Sequence, residues 1–110
     1  MRSAKIFYKE TEAGRLTERD DGFYQFQYLP EYVQDYPGQF ITFTMPVTDR
    51  VYYDKRLFAF FDGLIPEGWL LDIAITSWKV NKTDRMGLLL VSCRDCIGAV
   101  SVIPIEGGDE

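Results

Sequence analysis

The sequence predicts an α+β domain, a small antiparallel sheet with about three helices packed on one side. Segments with strand-like alternation fill the first half of the chain, segments with helical spacing follow, and one more alternating segment comes near the end. The chain has 110 residues, of which 46% are hydrophobic. This size and composition are typical of one globular unit, so we expect residues 1–110 to form a single domain.

The predicted strands rest on alternation between apolar and polar residues. The clearest case is residues 23–28, where aromatic side chains alternate with Gln25 and Gln27. The turn signal Asp20-Asp21-Gly22 precedes this segment and predicts a hairpin. Residues 29–38 contain two prolines and a glycine, which favours an irregular loop. The predicted strands are 4–9, 14–18, 23–28, 40–45 and 99–103, with a short extended piece at 51–53.

Three helices are predicted from apolar residues at helical spacing. The first covers 55–62, with Asp54 placed to cap it. The second covers 66–79, and Pro66 suits its first turn because a proline there loses no intrahelical hydrogen bond. The third begins after the candidate cap Thr83 and continues through Val91.

The composition argues against several classes of function. The net charge is −5 and the basic residues are scattered, so direct binding of nucleic acid is not expected. No stretch reaches the roughly 18 apolar residues that cross a bilayer, and the N-terminus lacks the apolar segment of a signal peptide. We therefore expect a cytoplasmic protein that does not bind a membrane.

The sequence lacks the usual residues of an enzyme. It contains no histidine, and no glycine-rich phosphate loop follows a strand. We expect no catalysis, no cofactor and no metal. Cys93 and Cys96 have the spacing of a redox or metal pair, but they follow a predicted helix, whose negative end disfavours the thiolate. The two cysteines are therefore either reduced structural thiols or part of an independent redox or small-ligand site.

The strongest functional signal is a corner between the first two predicted helices. Trp69 points away from the stripe of the second helix that carries Leu70 and Ile73, so it either packs on a neighbouring segment or stands exposed as an anchor for a partner. Glu67 and Asp72 are either helix-end charges or partner contacts. The candidate partner-binding residues are Ile65, Pro66, Glu67, Gly68, Trp69 and Asp72.

Two motifs give the sequence a resemblance to a known family. Residues 60–68 read Phe-Phe-Asp-Gly-Leu-Ile-Pro-Glu-Gly, and residues 95–100 read Asp-Cys-Ile-Gly-Ala-Val. In this order and spacing, they resemble the N-terminal domain of HipA-type serine/threonine kinases, the toxins of bacterial toxin–antitoxin systems. Two positions depart from the family pattern. Leu71 replaces a basic residue, and Cys93 replaces a glycine.

The resemblance implies a fold like the HipA N-terminal subdomain and a protein–protein role. The kinase body of the family has no counterpart in these 110 residues, so a stand-alone small subunit is implied, as in split HipA systems. There it looks like the antitoxin, a kinase regulator that binds a separately encoded HipA-like kinase and inhibits it. A helix-turn-helix DNA-binding protein is implied as a further partner through the complex. The alternative is a structural lobe that completes the kinase fold or the complex without inhibition.

Overall fold

A computed structural model describes residues 2–65, 84–92 and 99–105. In this part of the chain, five strands form one antiparallel sheet in the order β4-β3-β2-β1-β5. The strands are β1 Arg2–Tyr8, β2 Thr11–Glu18, β3 Tyr24–Tyr28, β4 Tyr52–Asp54 and β5 Val100–Pro104. The helices are α1 Pro30–Asp35, α2 Ala59–Asp62 and α3 Arg85–Ser92. The predicted α+β class is confirmed.

The helices contribute to one core on one face of the sheet. Alternate residues of the central strands, such as Ile6 and Phe26, are fully buried there together with Phe61 of α2 and Leu89 of α3. Between them, Lys5 and its cross-strand partner Arg15 point to the other face and are exposed. The predicted packing of helices on one side of the sheet is therefore confirmed.

The predicted hairpin of β2 and β3 is confirmed. Gly22 has a φ of +91°, a backbone conformation that a glycine adopts without steric cost, and its N–H donates to the carbonyl of Arg19. The Arg19 N–H in turn donates to the carbonyl of Phe23. The turn thus fixes the register in which Glu18 opposes Tyr24.

A register shift in β1 and β2 makes room for an aromatic ring. Ile6 opposes Gly14 and Phe7 opposes Glu12, so Ala13 is the extra residue of a bulge. A Cβ at Gly14 would lie 2.8 Å from the ring of Phe26 and 2.5 Å from the carbonyl oxygen of Gln27. Only glycine lets β2 pass this closely over the Phe26 ring.

The prediction of an irregular loop over 29–38 is wrong, because α1 lies there. Pro30 occupies the first turn, where its missing N–H costs no hydrogen bond, and Glu31 lies near the positive end of the short helix. Tyr32 is buried and its ring stacks on Tyr28 at 5.7 Å. Packing of this tyrosine on the core stabilises α1. The sequence interpretation missed the helix because it took the two prolines as signals of a loop.

The predicted strand over 40–45 is also wrong, because these residues form bends and turns. Ile41 and Met45 are buried, but their backbones bond to a side chain and not to a neighbouring strand. The Tyr28 hydroxyl accepts the N–H of Ile41 at 3.1 Å and donates to the carbonyl of Met45 at 2.5 Å. Two more tyrosine hydroxyls hold the same loop, Tyr32 to the Gln39 carbonyl and Tyr52 to the Pro46 carbonyl, both at 2.6 Å.

The extended piece predicted at 51–53 is confirmed in outline as β4, but the first helix is shorter than predicted. Asp54 belongs to β4 opposite Tyr24, so it does not cap a helix, and its carboxylate accepts the N–H of Arg56. The helix α2 begins only at Ala59, after Phe58, and no side chain caps it. Lys55 and Arg56 therefore lie in a bend and are exposed.

We expect Gly14→Ala to destabilise the protein by about 1–3 kcal/mol, because the added methyl group would collide with the Phe26 ring and with backbone. Gly38→Ala is the matched control, since a Cβ there meets nothing within 4 Å. Urea denaturation measures both free energies of unfolding. Equal values for the two variants would contradict the close packing over Phe26.

We expect Tyr28→Phe to lower the free energy of unfolding by about 1–3 kcal/mol, because a buried N–H and a buried carbonyl would lose their partner. Tyr53→Phe removes the hydroxyl of a tyrosine that is 57% exposed and should cost almost nothing. Burial raises the pKa of Tyr28 to about 12, so its hydroxyl remains a donor at every ordinary pH. A Tyr28→Phe variant as stable as Tyr53→Phe would show that the loop does not depend on this hydroxyl.

Candidate functional site

Most of the predicted corner lies outside the described residues. This holds for Pro66, Glu67, Gly68, Trp69 and Asp72, and for the second predicted helix. Ile65 is described and is only 3% exposed. Its side chain packs in the core of this chain, and the partner-binding roles of all six residues remain predictions.

The described residues show how the chain enters the corner. Phe61 is fully buried, and its ring contacts Phe26 of β3 at 5.7 Å and Phe58 at 6.2 Å. After α2, the N–H groups of Leu64 and Ile65 donate to carbonyls three residues earlier, which continues the chain as tight turns. Ile65 then joins the same core as Phe61. Ile65, the last residue that the structure describes before Pro66, is thus fixed to the sheet.

The residue that follows the undescribed segment 66–83 is fixed as well. Asp84 accepts two hydrogen bonds from the Arg2 guanidinium, at 2.8 and 2.9 Å, and one from the N–H of Gly87 in α3 at 3.1 Å. The last bond is that of an N-cap, so Asp84 supplies a cap near the start of α3. The predicted cap, Thr83, lies outside the described residues.

Arg2 connects this cap to the sheet. Its guanidinium also donates to Glu18 at 2.7 and 3.0 Å, and the Tyr24 hydroxyl donates to the same carboxylate at 3.1 Å. The hydrogen bonds from Arg2 hold the pKa of Asp84 below its usual range. The bonds to Asp84 and Glu18 likewise raise the pKa of Arg2. We call Arg2, Glu18, Tyr24 and Asp84 the Arg2 cluster.

A second ion pair joins the two helices that flank the segment. The Nε of Arg85, the first residue of α3, lies 2.7 Å from Asp62, the last residue of α2. Together with the Arg2 cluster, this pair fixes both attachment points of residues 66–83 on one platform. The platform consists of the core face of the sheet, α2 and the start of α3.

A cleft of about 840 Å³ opens beside this platform. It lies between the β2–β3 turn, the bend after β4 and the ends of α2 and α3. Its lining includes apolar Leu57 and Ala59 together with charged groups of both signs. The charged residues of the lining are Asp54, Lys55, Arg56, Asp62 and Arg85.

The sequence interpretation missed both the cleft and the Arg2 cluster. Arg2 and Asp84 are 82 positions apart, so no local pattern joins them. Lys55 and Arg56 were included in a predicted helix, where they would be ordinary surface charges. The turn signal at 20–22 was the one available clue, because it places Gly22 at the rim of the cleft.

The described residues contain no group of three or more His, Cys, Asp or Glu that could hold a metal ion. Cys93 and Cys96 lie outside them, so their state stays a prediction. No helix in this part of the chain has the length and apolar character needed to span a bilayer. Chemically, the described surface offers charged and aromatic contacts.

The five-stranded antiparallel sheet with helices on one face defines a small α+β domain. The family description "HipA N-terminal domain" matches residues 4–103, and the chain belongs to this family. The solved N-terminal domain of HipA toxin is similar in fold, with a TM-score of 0.72 at 25% identity, and the match covers 97% of this chain and 95% of that one. The resemblance found in the corner motifs is thereby confirmed, and it relates the chain to toxin–antitoxin proteins.

A relative in Haemophilus influenzae, described as an uncharacterized protein, is 30% identical over 102 residues. The match covers 93% of this chain and 92% of the relative. The relative therefore contains little sequence beyond this one domain.

We expect Asp84→Asn to lower the free energy of unfolding by about 0.5–1 kcal/mol at pH 7, because asparagine still caps a helix but no longer pairs its charge with Arg2. The folded pKa of Asp84 is depressed, so its charge stabilises the protein above the unfolded pKa of about 3.9. That contribution is lost as the pH falls through the folded pKa. The difference between wild type and variant should therefore shrink in acid, as urea denaturation at several pH values measures.

Asp21→Asn is the matched control for this prediction. Asp21 pairs with Arg19 at 2.8 Å, but the pair is well exposed and should contribute little. An Asp84→Asn effect that stayed constant down to pH 2, or that was no larger than the Asp21→Asn effect, would contradict the role of the Arg2 cluster.

Proposed function

We propose that this chain is the non-catalytic small subunit of a toxin–antitoxin system, which binds a separate HipA-like serine/threonine kinase and inhibits it. The observation that carries the proposal is membership of the HipA N-terminal domain family over residues 4–103. The N-terminal domain of HipA lacks the kinase catalytic region, which is consistent with a role that needs no chemistry. The Haemophilus influenzae relative supports the idea that such a domain occurs without an attached kinase body.

The proposed contact is the corner at 64–72, with Trp69 inserted toward the catalytic cleft of the kinase. A kinase must hold its nucleotide and catalytic loops in place to transfer phosphate, so a rigid wedge inhibits it without reacting. The platform supports this mechanism, because Ile65 is buried in the core and Asp84 is bound by Arg2. A segment attached at two fixed points loses less freedom on binding than a free loop.

Tryptophan suits such an anchor because its large ring has few rotamers to freeze. Glu67 and Asp72, on either side of Trp69 in sequence, would pair with basic groups of the kinase. Pro66 and Gly68 would set the direction of the chain between them. Such an arrangement explains why the corner motif, and not a catalytic residue, is the strongest signal in the sequence.

We expect Trp69→Ala to weaken binding to the kinase encoded in the neighbouring reading frame by about 30- to 1000-fold, as for an interface hot spot. Suppression of kinase autophosphorylation should be lost in parallel. Calorimetry measures the first and a radiolabel assay the second. Phe43→Ala is the matched control, since Phe43 is 82% exposed and belongs to the tyrosine-held loop and not to the corner.

Equal inhibition by wild type and Trp69→Ala would remove Trp69 from the mechanism. Binding of the wild-type chain that left kinase activity level or raised it would favour the other role, a structural lobe of the kinase or of its complex with a helix-turn-helix DNA-binding protein.

A further inference from the structure

The cleft beside the platform has an excess of positive charge in a chain of net charge −5. Its lining includes three basic residues and two acidic ones. Asp62 and Arg85 neutralise each other in the ion pair that joins α2 to α3. Asp54 accepts the backbone N–H of Arg56, a bond that leaves its negative charge in place, so the lining as a whole carries a net charge of +1.

Lys55 and Arg56 are the two cations of the lining that do not belong to the Asp62–Arg85 ion pair. Both are exposed in the bend between β4 and α2, and in the described part of the chain neither has a salt bridge. Leu57 and Ala59 lie next to them and give the cleft an apolar wall. A concave surface with two exposed cations against one carboxylate, and with an apolar wall, fits an extended peptide segment that carries carboxylates.

We propose that this cleft receives an acidic segment of the kinase partner, whose Asp or Glu side chains pair with Lys55 and Arg56. The inference rests on the proposed function and deepens it, because it states the chemistry of a second contact on the kinase. The cleft lies close in sequence to the start of the corner. Asp62 lines it, and Ile65, three residues later, is where the chain enters the corner.

This position gives the second contact a distinct role. The cleft lies on the same platform that holds Ile65 at the start of the corner, so a kinase that binds the corner would have this charged surface close to its point of attachment. Charges at such a rim mainly raise the rate of association and fix the orientation of the partner, and salt screens them. Lys55 and Arg56 would therefore orient the kinase, while Trp69 would supply most of the affinity.

The first test uses two double charge reversals in the full chain. Lys55→Glu with Arg56→Glu should weaken kinase binding by about tenfold or more and flatten its dependence on salt. Lys5→Glu with Arg15→Glu is the matched control. It makes the same change in net charge, but on the exposed opposite face of the sheet, and should leave the dissociation constant within about twofold.

The second test identifies the chemistry of the occupant. A carbodiimide joins a lysine amine to a carboxylate only where the two are in contact, so Lys55 should form an amide with an Asp or Glu of the kinase. Mass spectrometry of the digested complex should detect this peptide pair. Lys55→Arg keeps the charge but should abolish the cross-link while retaining binding.

The results separate the two proposals. The cleft assignment alone is overturned if the cleft reversal matches its control and no Lys55 cross-link forms. This holds when the wild-type chain binds the kinase and Trp69→Ala weakens that binding. If the wild-type chain does not bind the kinase, the proposed function itself fails. A cleft reversal that weakens binding, with a cross-link at Lys55, supports both.

Discussion

One guanidinium group connects the first strand, the second strand and the start of α3. Arg2 lies at the start of the first strand, yet it bonds to Glu18 across the β1–β2 ladder and to Asp84 at the start of α3. Because arginine presents several N–H groups in a plane, it binds two carboxylates at once. The start of α3, which follows residues 66–83, is consequently placed by a residue that lies 82 positions from Asp84 in sequence.

Tyrosine hydroxyls perform a second structural role. The segment between α1 and β4 has few regular backbone hydrogen bonds, and a buried backbone group without a partner is costly. The Tyr28 hydroxyl satisfies two such buried groups, and the hydroxyls of Tyr32 and Tyr52 bind further carbonyls of this segment at less buried positions. Three of the seven tyrosines in the chain therefore support this loop.

The sequence allowed the sheet to be predicted where alternation coincides with backbone pairing, as in β3, and failed where it does not. Over 40–45 the alternating residues are Ile41, Phe43 and Met45, of which Ile41 and Met45 are buried whereas Phe43 is 82% exposed. Alternation therefore indicates burial only in part, and it cannot tell whether a strand or a tyrosine hydroxyl satisfies the hydrogen-bonding groups of the backbone. The corner was recognisable because its residues are adjacent in sequence, whereas the Arg2 cluster and the cleft are assembled from distant segments.

The two edge strands of the sheet are poorly suited to pairing with a strand of another molecule. At one edge, β4 has only three residues, and at the other, β5 ends at Pro104, which has no N–H to offer. Short edges and prolines discourage a strand of another molecule from extending the sheet. This geometry protects the domain against edge-to-edge aggregation.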